Sequence, residues 1–143
     1  MRNTLFFTFL ALVTLLLHGI WEHAHIALYT GYEALEGILP VWVFATIGDF
    51  VYTLLAVVLV GAILQDMQWF EKDFSKIRYF SLAAIGFLIA LMVEYKGLYL
   101  GRWEYLLSMP LIPLLQVGLS PILQMTILLP ISVFITRLLT KQF

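Results

Sequence analysis

The chain contains no cysteine and few charged residues, and both shortages narrow the range of possible functions. Without cysteine, disulfide exchange, thiolate metal sites and catalysis by a thiol are excluded. Charged residues make up 12% of the 143 residues, whereas a soluble domain carries about 25%. The net charge is −1 and no basic patch occurs, so we expect no nucleic-acid partner.

Hydrophobic residues make up 62% of the chain, and the mean hydropathy is +0.97. Crossing a membrane takes about 20 mostly apolar residues. Four segments qualify, at about 4–26, 41–64, 79–100 and 114–138. We predict an all-α integral membrane protein, a four-transmembrane-helix bundle in which residues 1–143 form a single transmembrane domain. No small-residue cleavage site follows the first apolar run, so we interpret that run as a retained helix rather than a signal peptide.

The distribution of lysine and arginine predicts the orientation. Basic residues are concentrated at the two ends of the chain and in the middle connection: Arg2, Lys72, Lys76, Arg78, Arg137 and Lys141. The opposite side carries Lys96 and Arg102. By the positive-inside rule, both termini are expected in the cytoplasm. We expect the plasma membrane of a bacterium or an archaeon.

The two halves of the chain share a pattern that a duplicated helical hairpin would produce. Four residues recur at one fixed offset of about half the chain: Leu28, Tyr29, Gly31 and Pro40 match Leu98, Tyr99, Gly101 and Pro110. Duplicated hairpins would be parallel repeats about an axis along the membrane normal. The alternative is a chance match between apolar sequences.

Aromatic residues are concentrated in the connections. Trp69, Phe70 and Phe74 alternate with charged residues in the middle connection, which predicts an amphipathic turn in the membrane interface. Trp103 and Tyr105 lie in the third connection, where we expect them in an interfacial aromatic belt.

Carboxylates inside the apolar segments are the strongest functional signal. Glu22, Asp49 and Glu94 lie within or at the mouth of long apolar runs, where an acid is costly and by default marks a functional site. His18 shares a helix face with Glu22. Each segment carries one polar stripe of this kind, so we predict that the stripes meet in a pocket in the outer half of the bilayer.

The fourth stripe and the third connection supply candidate ligand contacts. Ser120 and Gln124 repeat at helical spacing, and Pro121 and Pro130 predict a kink in that helix. We predict catalytic roles for His18, Glu22, Asp49 and Glu94, and ligand contacts from Lys96, Arg102, Tyr105, Ser120 and Gln124.

Two alternatives to an acid–base pocket follow from the same residues. His18, Glu22 and His25 share a face and could ligate zinc, iron or manganese. Glu22 and His25 form one Glu-x-x-His motif, of which a carboxylate-bridged di-iron bundle needs two. The motif occurs once and no other segment carries a histidine, so we predict no metal and no other cofactor. Without a metal, His18 would bond Glu22 and His25 would be hydrated at the membrane surface. In a purely structural core, Asp49 would pair with Lys96, Arg102 or a fourth-helix amide.

The residues His18-Gly19-Ile20-Trp21-Glu22 resemble the His-x-x-x-Glu of the first helix in the EXPERA group of four-helix membrane proteins, which includes emopamil-binding sterol isomerase. Glu94 resembles in position another acid of that group. The resemblance implies cytoplasmic termini and a lipid-sized cavity. It also implies that His18 and Glu22 handle protons and that Glu94 stabilises a carbocation.

The leading functional hypothesis is binding, with acid–base conversion, of an amphipathic lipid or isoprenoid-like molecule. The alternatives are a transporter of protons or metal cations, with Asp49 as midspan relay, and a non-catalytic accessory subunit. Residues 57–64 and 82–90 are almost wholly apolar, which favours a dead-end pocket over a continuous path.

Overall fold

Four long helices account for most of the structure, a computed structural model that describes residues 2–35, 37–72 and 75–142, without the side chains of Arg2 and Ala34. The first three helices are α1 (Arg2–His25), α2 (Val41–Ile63) and α3 (Lys76–Tyr99). The fourth combines α4 (Leu119–Leu123), a π-helical segment (Gln124–Leu128) and α5 (Leu129–Thr140). All four are long and apolar enough to cross a membrane. This confirms the predicted all-helical class and indicates an integral membrane protein.

Two predicted helix boundaries were wrong. The third helix begins at Lys76 rather than at 79, and the fourth begins at Leu119 rather than at 114. The intervening residues form a small antiparallel hairpin of β3 (Leu111–Ile112) and β4 (Val117–Gly118). Pro113 follows Ile112 and disfavours a helical backbone there, a local effect that hydropathy does not register.

The first and third connections meet at one end of the bundle, which we call the hairpin end (residues 26–35, 37–40 and 100–118). There β1 (Tyr29–Thr30) pairs antiparallel with β2 (Glu104–Tyr105), so that Tyr29 faces Tyr105. Gly31 and Gly101, which match in the two halves of the sequence, both adopt positive φ angles of 75° and 60°. The duplication itself stays a prediction.

The opposite end, which we call the termini end, holds the start of α1, residues 64–72 and the end of α5. Its packing is aromatic: the rings of Phe6 and Phe70 stack with centroids 4.2 Å apart. Trp69 is 1% exposed and donates its indole N–H to the Val57 carbonyl at 3.0 Å. Trp69 and Phe70 are therefore core residues rather than part of the predicted amphipathic turn, and Phe74 lies outside the described residues.

The helices form a closed ring around the interior. α1 packs against α2 and α5, and α3 packs against α2 and the fourth helix. The outer surface is apolar, with the side chains of Leu12, Leu16, Ile20, Phe80 and Leu88 at least 60% exposed. Helices that are hydrophobic on their outer faces as well as inside are typical of a membrane environment.

The π-helical segment gives the fourth helix its irregular shape. Pro130 has no N–H to donate to the carbonyl of Thr126, one turn earlier. The backbone widens to five-residue turns over Gln124–Leu128, as π-bulges do, often at functional sites. The predicted disruption of this helix therefore takes the form of a π segment, and Gln124 is its first residue.

Two glycines of α3 allow very close packing. Gly97 lies against the indole ring of Trp103, and Gly86 lies against the backbone carbonyl of Met125. A Cβ at either position would overlap these atoms. Gly86, Ala90, Glu94 and Gly97 are all buried on one face of α3, as the spacing of small residues predicts.

We expect Gly86→Ala and Gly97→Ala each to lower the free energy of unfolding by about 1–3 kcal/mol, because the added methyl group overpacks the interface. Gly48→Ala is the matched control. A Cβ there would have no atom within 4 Å, so this change should stabilise α2 by about 0.5–1 kcal/mol. Unfolding by denaturing detergent measures all three, and equal stabilities would contradict the packing described.

Candidate functional site

A cavity of about 450 Å³ opens at the hairpin end between the four helices. Leu35, Phe44 and Arg102 are exposed residues of its lining, so the cavity reaches the molecular surface there. Its aromatic residues are Tyr29, Tyr32, Phe44, Tyr52 and Trp103, and its polar residues are Glu22, His25, Asp49, Glu94, Arg102 and Gln124. The polar groups form two separate clusters.

The first cluster centres on the side chain of Gln124, which is 2% exposed. Its Nε2 donates to Glu22 Oε1 at 2.8 Å and to Asp49 Oδ2 at 2.7 Å. His18 Nδ1 lies 3.2 Å from the same Asp49 oxygen and 3.3 Å from Gln124 Nε2. One amide therefore joins carboxylates from α1 and α2 to the fourth helix.

The number of hydrogens available fixes the directions of these bonds. An amide nitrogen carries two hydrogens, and the two carboxylates at 2.7 and 2.8 Å accept both. His18 Nδ1 then carries its own hydrogen and donates it to Asp49. The other ring nitrogen, His18 Nε2, is buried and has no hydrogen-bond partner in residues 2–35, 37–72 and 75–142.

A second branch of this cluster runs through His25. His25 Nε2 lies 3.1 Å from Glu22 Oε2, and His25 Nδ1 lies 2.9 Å from Ser120 Oγ. Trp21 donates its indole N–H to Ser120 Oγ at 3.2 Å. With a neutral imidazole, Ser120 donates to His25 and His25 donates to Glu22. The bonds thus form one chain from Trp21 to Glu22, which Gln124 extends to Asp49 and His18.

The second cluster surrounds Glu94, which is 5% exposed. Tyr105 donates to its Oε2 at 2.5 Å, and Tyr29 donates to its Oε1 at 3.4 Å. The β1–β2 pairing places these two tyrosines opposite each other, with ring centroids 5.5 Å apart. Trp103 Nε1 is buried beside the same carboxyl without a hydrogen bond of normal geometry.

Burial raises the pKa of the Tyr29 phenol above that of a free tyrosine, and the nearby charge of Glu94 raises it further. The pKa of Tyr105 is raised by the same two causes, in the same order. Both hydroxyls therefore remain protonated at neutral pH and act as hydrogen-bond donors to Glu94.

The structure brings most of the predicted site residues together. His18, Glu22, Asp49, Ser120 and Gln124 belong to the first cluster. Glu94 and Tyr105 form the second. Arg102 lines the rim of the cavity. The catalytic and ligand-binding roles of these residues stay predictions.

Lys96 does not line the cavity and is exposed. It follows Glu94 by two positions on α3, and residues two apart on a helix do not face each other. Its predicted contact with a ligand in the cavity is therefore not supported by its position.

The pairing inside the core differs from the expected structural pattern in two of three places. His18 pairs with Asp49 rather than with Glu22. His25 is 7% exposed and bonded on both ring nitrogens, so it is not hydrated at the surface. Asp49 does pair with a fourth-helix amide, that of Gln124.

The side chains of His18, Glu22 and His25 do not form a metal site. Among the residues that the structure describes, no three histidine, cysteine, aspartate or glutamate side chains are placed to hold a metal ion. His18 turns towards Asp49, whereas His25 turns towards Glu22 and Ser120.

Sequence reasoning missed the contributions of Trp21 and Trp103 to the site. Trp103 and Tyr105 were expected in an aromatic belt, yet Trp103 lines the cavity and Tyr105 bonds Glu94. The spacing of Trp21 and His25, one helical turn apart, could have indicated a shared partner. That partner is Ser120.

The arrangement is suited to moving protons. Each carboxyl contacts one imidazole, Glu22 that of His25 and Asp49 that of His18. Two carboxyls that share an amide also repel each other unless a proton or a cationic imidazole offsets their charge. Such coupled groups can serve as general acids and bases.

No family model, no curated protein and no solved structure matches the chain.

We expect Gln124→Leu to lower the free energy of unfolding by about 3 kcal/mol, because it removes the donor from two buried carboxylates. The control is Gln142→Leu, an exposed position at the termini end, which should change stability little. Thermal unfolding in detergent measures both. Wild-type stability of the Gln124 variant would mean that the amide is not the link between the carboxylates.

A pH titration tests the Glu94 cluster. The raised pKa values of Tyr29 and Tyr105 mean that these phenols ionise more readily in the unfolded chain. They therefore stabilise the fold fully below about pH 10, and this stabilisation is lost as the pH rises towards the raised values.

The measurement is the increase in the ultraviolet absorbance of ionised tyrosine as the pH is raised through about 10, in a chain with seven tyrosines. A double variant, Tyr29→Phe with Tyr105→Phe, should leave this increase unaltered in the folded protein. In the unfolded protein the same variant should reduce it. A reduction of equal size in both states would refute the assigned hydrogen bonds.

Proposed function

We propose that the protein binds an amphipathic lipid or an isoprenoid-like molecule in the cavity, and that the side chains around it perform acid–base chemistry on the bound molecule. The observation that carries this proposal is an apolar, aromatic cavity with its polar groups gathered in two clusters. Its volume of about 450 Å³ lies within the range of small-molecule sites, about 300–1,000 Å³.

One continuous face of α2 supports an apolar ligand. Val41, Phe44, Ala45, Gly48 and Tyr52 line the cavity at helical spacing. Opposite this face, α3 contributes Ile89, Ala90 and Val93. An acyl or isoprenoid chain would replace water against these side chains, which is favourable in proportion to the apolar area covered.

The charged rim favours an amphipathic molecule over a plain hydrocarbon. Arg102 is exposed and lines the cavity, so its guanidinium is placed to contact a polar headgroup, bidentately where the headgroup is a phosphate or carboxylate. With both termini in the cytoplasm, as the distribution of basic residues favours, this rim would face the outer leaflet.

In the acid–base step, Glu22, Asp49 and Glu94 would act as acid, base or cation stabiliser. Glu22 and Asp49 line the cavity, and each contacts an imidazole: His25 Nε2 lies 3.1 Å from Glu22, and His18 Nδ1 lies 3.2 Å from Asp49. A proton given up by either carboxyl can therefore be replaced from its imidazole. Glu94 is held by two phenols beside Trp103, a setting that would stabilise positive charge on a ligand. The resemblance to the EXPERA group supports the same assignment.

The accessory-subunit alternative rests on the internal pairing of the cluster. The bonds among His18, Asp49 and Gln124 would stabilise the bundle even without a ligand. A purely structural core does not explain why Glu22, Asp49 and Glu94 border an open cavity, because a structural polar core is most stable when it is tightly packed.

Filling the cavity is the direct test. Gly48 lines the cavity, and a Cβ there meets no atom within 4 Å. Gly48→Leu should therefore place a large apolar side chain in the binding volume without overpacking. We expect a fall of about tenfold in the amount of lipid-like molecule that copurifies in mild detergent, because the ligand's apolar contacts are lost. Mass spectrometry measures this amount.

The matched control is Ala84→Leu, which adds a leucine at an exposed position of α3. It should retain the copurifying molecule at the wild-type level. A wild-type protein that carries no defined molecule above the bulk lipid, or a Gly48 variant that retains as much as wild type, would overturn the proposal.

A further inference from the structure

Several buried polar side chains lie between the first cluster and the termini end, on the packed faces of α1 and α5. Thr14, His18, Ser132 and Thr136 are 0% exposed, and Arg137 is 5% exposed. Each carries a buried atom that has no hydrogen-bond partner within the described part of the chain: Thr14 Oγ1, His18 Nε2, Ser132 Oγ, Thr136 Oγ1 and Arg137 Nη2.

These hydroxyls differ from most others in the bundle, although Thr126 Oγ1 in the π-helical segment also has no partner among the described residues. A serine or threonine inside a helix commonly bonds the carbonyl one turn earlier. Thr46, Thr53 and Thr140 do so at 2.8, 2.8 and 3.0 Å. Thr14, Ser132 and Thr136 turn away from that partner into the interior, where an unpaired polar group is unfavourable.

The unpaired atoms follow one direction through the bundle. Thr14 lies one turn, about 6 Å, beyond His18 towards the termini end, and Ser132 lies about 12 Å beyond Gln124 in the same direction. Thr136 continues the face of Ser132 by another turn. α1 packs along α5, and the residues of both stripes are 0% exposed, so both stripes lie in the interior of the bundle. At its end, Arg137 Nη1 donates to the Tyr79 hydroxyl at 3.2 Å.

We propose that these side chains line a hydrated proton path that joins the His18–Asp49–Glu22 cluster to the termini end of the bundle. Water is the partner that fits unpaired hydroxyls and an unpaired imidazole nitrogen, because it can donate and accept two hydrogen bonds each. The apolar runs on α2 and α3 favour a dead-end pocket where those two helices are concerned. The path instead follows α1 and α5.

Proton transfer along this path leaves no group changed. Each water or hydroxyl accepts a proton on one side and releases its own on the other. At the inner end, His18 Nε2 accepts a proton while His18 Nδ1 passes its hydrogen to Asp49 Oδ2, 3.2 Å away. Asp49 then releases that proton to the cavity, and exchange of the remaining ring hydrogen from Nε2 back to Nδ1 resets His18, so that one proton enters and one leaves.

This inference does not depend on the lipid proposal, since it requires only the cluster and the hydroxyl stripes. The cavity reaches the surface at the hairpin end. Cavity and path together therefore span the bundle, and the proposal commits the protein to conducting protons from one end to the other.

The first test measures hydration with engineered cysteines in a chain that contains none. Methyl methanethiosulfonate is small and neutral, so it reaches both dry and wet sites, but it reacts with the thiolate, which forms readily only where water stabilises it. Ser132→Cys and Thr136→Cys should react at least about tenfold faster than two neighbouring controls. Val133→Cys is in the dry core and Phe134→Cys faces outward. Equal rates at all four positions would overturn the path.

The second test measures proton entry into potassium-loaded proteoliposomes that hold a pH-sensitive dye, driven by a valinomycin diffusion potential. The wild-type protein should admit protons faster than protein-free vesicles. Thr14→Val and Ser132→Ala should lower that rate about tenfold, because each removes one relay. Thr140→Val should not, because its hydroxyl already bonds helix carbonyls.

A wild-type rate no higher than that of protein-free vesicles would overturn the proposal. The amount of copurifying lipid, measured on the same preparations, separates this failure from a failure of the lipid-binding proposal.

Discussion

A carboxylate buried among apolar helices must find hydrogen-bond donors, and this requirement organises the interior of the protein. Glu22 and Asp49 come from different helices and accept both hydrogens of the Gln124 amide. Losing that amide would leave two buried charges without a shared donor. The bond therefore fixes the relative heights of α1, α2 and the fourth helix. The π-helical segment that begins at Gln124 brings the amide to both acids.

The connections at the hairpin end complete the site rather than simply linking helices. The two-residue pairing of β1 with β2 brings Tyr29 and Tyr105 to opposite sides of the Glu94 carboxyl. Trp103, in the same connection, packs on Gly97 one turn from Glu94. The two phenols can donate to Glu94 only while they are protonated. The placement of these loops therefore depends on their hydrogen bonds to the Glu94 carboxyl.

Hydropathy predicted the four helices, and helical spacing predicted that His18, Glu22, Asp49 and Gln124 meet. Residues at helical spacing share one face, so the polar face of each helix could be identified from the sequence. Two features were not predicted in their actual form: the disruption near Pro130 is a π segment, and residues before Leu119 pair as the β3–β4 hairpin. Both depend on backbone geometry that hydropathy does not register. The position of Lys96 outside the cavity could have been predicted from its spacing of two residues from Glu94. The unpaired hydroxyl of Ser132 has no sequence signal, because most such residues bond their own helix.

Asp49 lies between the cavity at the hairpin end and the buried hydroxyls of the proposed path towards the termini end. Its carboxyl is 15% exposed and borders the cavity, whereas His18 behind it is 0% exposed. The same oxygen, Oδ2, contacts both His18 and Gln124. On the proposed path, a proton that arrives at His18 from the termini end would reach the cavity through Asp49, which Gln124 holds beside Glu22. Acid–base chemistry on a bound molecule and proton exchange with the far side of the bundle would then draw on one carboxyl, which couples the two processes through a single protonation state.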